Sequence, residues 1–305
     1  MRAVVQELTS EAAMPKLSRA PTHADSWYEA DSAKLSKQVE QWLAAAGQEA
    51  APSPRAIIAP HAGHRYCGHI MAHAFKNVDI TKVSRVFLLG PSHHVHTRRC
   101  CLSPATAYDT PLGSLTIDQE VYRVLQGTGA FDTMDISTDE AEHSLELLTP
   151  FIAFLVAGRP VRLVPIMVGS LSTDSEALYG SLLGPYLDDP SNLFVISSDF
   201  CHWGRRFSYT FHDTTQGPIW KSIQWLDETG MKAIETGQPT AFSQYLSKYG
   251  NTICGRHPIG VLLNMLQHAA TLFNVKFVKY DQSSRCERMN DSSVSYAAAT
   301  VLPAV

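Results

Sequence analysis

The sequence predicts an α/β fold with a mostly parallel central sheet flanked by helices. Short apolar runs, partly β-branched, are nearly continuous instead of alternating with polar residues, as expected for strands covered on both faces. Longer segments with helical spacing separate most of them, and this alternation is typical of parallel sheets. The predicted strands are residues 55–60, 85–91, 162–169, 192–198, 275–280 and 293–302.

Four segments carry apolar residues at helical spacing: residues 31–47, 137–155, 239–250 and 257–273. In the first segment, Ser32 is the predicted N-cap and Gly47 the predicted stop. The second segment opens with Ser137 and Glu140 at the spacing of a capping box. In the last segment, Pro258 suits the first helical turn, where its missing N–H costs no hydrogen bond.

Composition limits the classes of function. The chain has 305 residues, of which 45% are hydrophobic and 18% charged, and its net charge is -4. With no repeat and no long linker, we expect one domain over residues 1–305. The absence of a basic stripe argues against nucleic-acid binding, and no apolar run reaches the roughly 18 residues that a membrane span needs. The six cysteines show no CxxC spacing, which predicts reduced thiols in a cytoplasmic protein.

Histidines stand where three of the predicted strands end. His61 follows the first strand, His93 and His94 follow the second, and Asp199 and His202 follow the fourth. Ligands of open α/β sheets bind outside the carboxyl ends of the strands. We therefore expect His61, His93 and His202 to converge on one pocket. Because neighbouring residues of an extended segment point in opposite directions, we expect His94 to face packing or the surroundings of the site.

His143 and Cys254 each have two interpretations. His143, at a helix start, is either a surface histidine made more basic by Glu140 and Glu142 or an acid–base residue directed into the pocket. Cys254 precedes a predicted helix N-terminus and lies near Arg256, which would favour its thiolate and suit a metal ligand or a nucleophile. The alternative for Cys254 is a buried, inert thiol.

Asp199 has three interpretations: it orients His202, it is a metal ligand, or it is a turn aspartate bonded to its own backbone. Four arginines near the strand-end motifs suit bidentate pairing with phosphate, the alternative being ordinary surface charge. They are Arg65, Arg205, Arg206 and Arg256.

Seven motifs, in order, resemble the Memo family (mediator of ErbB-driven cell motility). They are SWYEAD, PHAGHRYCG, LLGPSHHV, TDEAEHSLE, LFVISSDFCHWG, NTICGRHPIGVLL and DSSVSYAAA. The resemblance runs from about Ser26 to Ala299. It implies a single Memo-like domain, in which residues 1–20 form a peripheral extension.

The resemblance also implies the fold of class III extradiol dioxygenases, which open catechol-type rings at non-haem Fe(II). It implies a cytoplasmic protein, with the nucleus as a second location, that binds copper or iron and acts as an adaptor for phosphotyrosine peptides of receptor kinases or their adaptors. The family's metal ligands correspond to His61, His93 and Cys254. Its neighbouring pocket residues correspond to Asp199 and His202.

The third ligand departs from the dioxygenase pattern of two histidines and one carboxylate. A Cys254 thiolate is softer, favours copper or zinc without excluding iron, and makes ring-opening activity unexpected. Three functions compete. The first is a redox protein with O₂ as its partner, in which His202 and Asp199 manage protons and His143 is a further acid–base candidate. The second is a phosphotyrosine-binding module without catalysis, and the third is zinc-assisted hydrolysis.

Overall fold

The computed structural model describes residues 17–47 and 52–304. Of the predicted peripheral extension, residues 1–20, the first 16 lie outside the described residues. Residues 17–47 are part of the fold. The side chain of Arg19 is only 1% exposed, and its Nη1 donates a hydrogen bond to Glu146 Oε2 at 2.7 Å.

All six predicted strands are present, and the second keeps its predicted bounds. Six further strands of two to four residues occur within the described ranges. The strands are β1 (Ser18–Arg19), β2 (Ala56–Ala59), β3 (Arg85–Pro91), β4 (Cys100–Leu102), β5 (Ala107–Thr110), β6 (Gly113–Thr116), β7 (Phe131–Thr133), β8 (Arg162–Val168), β9 (Asn192–Ser197), β10 (His202–Trp203), β11 (Phe273–Gln282) and β12 (Ser293–Pro303).

Nine strands form the central sheet in the order β10-β12-β2-β9-β3-β8-β4-β7, with β11 paired to β12. The four central strands β2, β9, β3 and β8 are parallel, and every residue of β2 and β9 is buried. This confirms the predicted α/β class. Antiparallel strands flank the centre on both sides, β12 against β2 and β4 against β8. Apolar runs indicate burial of both faces but not strand direction, so these flanks could not be predicted.

The helices are α1 (Ser32–Ala45), α2 (His64–Phe75), α3 (Gln119–Gly127), α4 (Ile136–Ala141), α5 (His143–Glu146), α6 (Thr149–Val156), α7 (Thr173–Asp188), α8 (Ile219–Glu235), α9 (Pro239–Tyr249) and α10 (Arg256–His268). Asp31, and not the predicted Ser32, caps α1, because its carboxylate accepts the backbone N–H of Lys34. Helices α7 and α10 pack closely, and a Cβ on Gly180 of α7 would lie 2.3 Å from Asn264 of α10.

The helix predicted over residues 137–155 is three short helices, α4, α5 and α6. The predicted capping box at Ser137 is wrong, since Asp135 caps α4 and accepts the backbone N–H of Thr138. The backbone is extended at Glu142, with φ -84° and ψ 121°, and this separates α4 from α5. Glu142 thereby points its carboxylate at His93. The helix is interrupted at the residue that makes this contact.

A small second sheet, in the order β1-β5-β6, holds the beginning of the described chain. Strand β1 pairs in parallel with β5, which places Arg19 opposite Tyr108. Within the ranges 17–47 and 52–304, no helix is long and apolar enough to cross a membrane.

Candidate metal centre

Three potential metal ligands meet at the carboxyl ends of two central strands. His61 follows β2, His93 follows β3, and Cys254 lies in the turn that leads into α10. One ligand atom from each residue lies within 4.8 Å of the other two. Strands β2 and β3 both pair in parallel with β9, so their carboxyl ends lie at the same edge of the sheet.

Ser197 fixes the proton on the ring of His61. The Ser197 hydroxyl donates to the Ser144 carbonyl at 2.6 Å, so it accepts from His61 Nδ1, also at 2.6 Å. The proton therefore sits on Nδ1, and Nε2 presents its lone pair. Burial, followed by the charges of neighbouring histidines, holds the pKa of His61 well below its usual range. The ring is neutral, as a metal ligand must be.

The Glu142 carboxylate does the same for His93. Its Oε1 accepts from His93 Nδ1 at 2.8 Å, and its Oε2 accepts the backbone N–H of His93 at 2.6 Å. Burial acts to raise the pKa of Glu142, but hydrogen bonding to His93 and the charge of that ring outweigh it and lower the pKa to about 2. An anionic carboxylate behind the ring leaves Nε2 available, an arrangement common around metal-binding histidines.

Cys254 completes the ligand set as a thiol. Its Sγ lies 3.2 Å from His61 Nε2 and accepts the backbone N–H of Asp199 at 3.2 Å. Because Nε2 carries a lone pair, the thiol proton occupies this contact. Burial, followed by the charge of Asp199, raises the pKa of Cys254 well above its ordinary value. Of the two interpretations of Cys254, the thiolate is therefore wrong for the metal-free protein, since desolvation outweighs the helix N-terminus. A metal has to displace the thiol proton.

His143 lies inside the imidazole cluster and is not a surface histidine. Its ring stacks on His93 with centroids 4.5 Å apart, and the ring of Trp27 lies 4.6 Å away. The expectation that flanking acids make it more basic is wrong. Burial, followed by the charge of His93, lowers the pKa of His143 to about 4. The ring is neutral at physiological pH, and its acid–base role stays a prediction.

Asp199 and His202 face the same region through different contacts. The buried Asp199 carboxylate accepts the backbone N–H of His61 at 2.8 Å. Burial raises its pKa, although the charge of His202 acts in the opposite direction. The ring of His202 is oriented by the backbone carbonyls of Phe200 and Thr252, which accept from Nδ1 at 3.0 and 3.1 Å. These carbonyls, and not Asp199, orient His202.

The centre opens on a cavity of about 740 Å³. Five predicted site residues line it: His61, His93, His143, Asp199 and His202. Aromatic, cationic and hydroxyl side chains form other parts of the wall, among them Trp27, Tyr66, Arg65, Arg206 and Ser293. The space is large enough for a small organic molecule or a peptide side chain.

Comparison with known proteins decides the family. The sequence profile described as "Memo-like protein" matches residues 19–300. The chain belongs to the Memo-like family. It is 53% identical to Protein MEMO1 of Danio rerio and 50% identical to Protein MEMO1 of Homo sapiens, in both cases over 93% of this chain and 97% of the relative. The resemblance seen in the sequence motifs is thereby confirmed.

A more distant Memo relative and one solved structure extend the comparison. Protein memo-1 homolog of Caenorhabditis elegans is 44% identical over 93% of this chain and 82% of its own length. An uncharacterized protein of Escherichia coli K12 with a known crystal structure has a TM-score of 0.46 and 13% sequence identity. That match covers 80% of this chain and 98% of the bacterial one.

Some residues of this Memo-like centre were not predicted. Glu142 was noted only as an acidic neighbour of His143, and Ser197 only as part of a strand. Trp27 was part of a family motif without a role, yet it lines the cavity. The signal for Glu142 was its position directly before His143 in a segment that we predicted as continuous helix. Its role follows only when strand β3 brings His93 beside it.

Some of the other residues predicted near the Memo-like centre line its cavity and others do not. Arg65 and Arg206 line the cavity, whereas Arg205 and Arg256 are not part of its wall in the described ranges. His94 is exposed, with its ring centroid 6.1 Å from that of His143. Of the two expectations for His94, packing in the interior is wrong, and a position in the surroundings of the site agrees with its contact with His143.

Replacing Glu142 by glutamine is expected to weaken metal binding about 10- to 100-fold, the usual effect of losing a group that supports a histidine ligand. Glutamine presents one amide N–H₂ where the carboxylate accepted hydrogen bonds from both His93 and Ser144. Isothermal titration with copper measures the effect. The control is Glu140→Gln, the same chemical change at a residue four positions before Ser144. Equal affinity of wild type and Glu142→Gln would contradict the support of His93 by this carboxylate.

Proposed function

We propose that this Memo-like protein binds copper or iron through His61, His93 and Cys254 and has a redox role in signalling and cell motility. The observation that carries the proposal is the approach of three donor atoms within 4.8 Å. Hydrogen bonds to Ser197 and Glu142 keep the proton of each imidazole on Nδ1.

The donor set fits soft and borderline metals. Two imidazoles and a sulfur suit copper, iron and zinc, whereas a carboxylate in the third position would suit a ring-opening Fe(II) enzyme better. Ring opening is therefore not part of the proposal.

When bound, copper or iron supplies one-electron exchange with dioxygen. The protein's own groups handle the protons around this exchange. Cys254 gives up its thiol proton when it becomes a ligand, and His61 is already neutral because burial lowers its pKa. His202 and Asp199 line the adjoining cavity, where they are placed to exchange protons with a bound molecule.

A second candidate function is the binding of phosphotyrosine peptides from receptor kinases or their adaptors. One observation favours it: Arg65 and Arg206 both line the cavity of about 740 Å³ together with Trp27. Guanidinium groups pair with phosphate in bidentate fashion, and an aromatic wall suits a tyrosine ring. In this case the cavity binds a ligand without catalysis.

Metal titration with an oxygen electrode tests the proposal. We expect about one copper or iron per chain, bound competitively with a chelator, and dioxygen consumption that depends on the bound metal in the presence of a reductant. Failure to bind either metal would overturn the proposal. Zinc binding without oxygen consumption would favour metal-assisted hydrolysis, and phosphopeptide binding by a metal-free protein would favour the second candidate.

A further inference from the structure

Four hydrogen bonds position His202, and three of them involve Thr252. The backbone N–H of His202 donates to Thr252 Oγ1 at 2.7 Å, and this hydroxyl donates to the His202 carbonyl at 3.1 Å. The ring Nδ1 of His202 lies 3.1 Å from the Thr252 carbonyl and 3.0 Å from the Phe200 carbonyl. Thr252 therefore contacts both the backbone and the ring of His202.

These contacts determine which ring nitrogen carries the proton. Carbonyl oxygens only accept hydrogen bonds, so His202 Nδ1 is the protonated nitrogen and Nε2 presents a lone pair. His202 lines the cavity, and no hydrogen bond from the described residues occupies Nε2. We propose that Thr252 is a positioning residue that holds His202 as the proton acceptor of the cavity.

A buried carboxylate joins the two segments behind this contact. Asp227 is fully buried, and its Oδ1 accepts the backbone N–H of Cys201 at 3.2 Å and Nδ2 of Asn251 at 2.9 Å. Cys201 and Asn251 directly precede His202 and Thr252 in the chain. Asp227 thus holds together the two segments that carry His202 and Thr252, so these segments are not two independent loops.

The tautomer specifies the chemistry that His202 performs. A ligand or water hydroxyl in the cavity gives its proton to Nε2, which converts the ring to imidazolium and leaves the oxygen as an anion. Nδ1–H keeps its carbonyl partners throughout, so the ring does not have to turn. The class of ligand that fits this step is therefore a weakly acidic hydroxyl compound. The step rests on the proposed function, because the oxyanion of this ligand forms in the cavity beside His61 and His93.

The nitrogen spectrum of ¹⁵N-histidine-labelled, metal-free protein tests the assignment. We expect wild type to show His202 as the single Nδ1–H tautomer at a pH where the ring is neutral. Thr252→Val keeps the side-chain volume but removes the hydroxyl that joins the backbone of His202 to residue 252. The Thr252 carbonyl is then expected to move away from Nδ1, which weakens the single-tautomer pattern. Thr252→Ser restores the hydroxyl and is the matched control, which is expected to keep the wild-type pattern.

Two results would overturn the role of Thr252. One is a wild-type spectrum with the proton on Nε2, which needs no variant and stands even if Thr252→Val fails to fold. The other is a folded Thr252→Val protein whose His202 spectrum equals that of wild type. Because the spectra are recorded without metal, they separate this inference from the proposed function. A chain that binds no metal but shows the expected tautomers would contradict only the proposed redox centre.

Discussion

Replacing Cys254 by serine is expected to lower the affinity for copper or iron more than about 100-fold, since loss of a group that merely supports a ligand already costs about 10- to 100-fold. Serine fills nearly the same space and can still accept the backbone N–H of Asp199, which Cys254 accepts at 3.2 Å. The fold should therefore persist while the soft donor is lost. Competition with a chromophoric chelator measures the affinity.

The control for this substitution is Cys286→Ser. Cys286 is a buried thiol, whereas Cys254 is partly exposed, and Cys286 is not one of the three clustered ligand residues. Its replacement should leave metal affinity unchanged. If Cys254→Ser bound metal as tightly as Cys286→Ser, the thiol would not be a ligand and the proposed centre would be reduced to two imidazoles.

The same thiol determines how metal affinity varies with pH. Burial raises the pKa of Cys254, so binding displaces a proton, and the wild-type affinity should rise by about tenfold per pH unit near neutrality. His61 contributes no such slope there, because burial keeps its pKa well below the usual range. Metal titrations between about pH 6 and pH 8 test this slope in the range where an ordinary imidazole also titrates. A slope that persists in Cys254→Ser would assign the displaced proton to another group.

Burial of both sheet faces made the centre of the fold predictable from sequence. A strand buried on both faces needs a continuous apolar run, as in β3, whose bounds agree with the prediction. The short strands were missed because two to four residues carry too little pattern. The antiparallel flanks were missed because a strand such as β12 can pair in either direction with the same apolar residues.

The site was predictable where a side chain that can bind a metal directly follows a predicted strand. His61 and His93 were found because parallel strands deliver their carboxyl ends to one edge. Glu142 was missed because it interrupts a segment whose apolar spacing predicts one helix, and only the folded chain brings His93 to it. The protonation of Cys254 could not be decided from sequence, because the local sequence showed a helix N-terminus but not the desolvation that opposes it.

The largest effect on stability is expected for Arg19→Met. The guanidinium is 1% exposed and lies 2.7 Å from Glu146 and 3.4 Å from Asp139, both of which are also buried. Methionine fills much of the space but leaves two carboxylates without their cation. Removing one partner of a buried ion pair typically costs about 3–5 kcal/mol, because the remaining charge is cut off from water. Glu146 then has only its other hydrogen bonds, among them that to His23, to offset its burial. Urea unfolding at neutral pH measures the loss.

Acid should remove this difference between wild type and Arg19→Met. In wild type, burial acts to raise the pKa of Glu146, but hydrogen bonding to His23 and the charge of Arg19 lower it to about 2. A depressed carboxyl pKa contributes stability above its unfolded value and loses it as the pH falls toward the folded value, so the difference should shrink from about pH 5 to about pH 2. Lys82→Met is the control, because its pair with Asp79 is exposed and such pairs contribute little to stability. A loss at neutral pH no larger in Arg19→Met than in Lys82→Met would mean that the buried network does not anchor the start of the described chain.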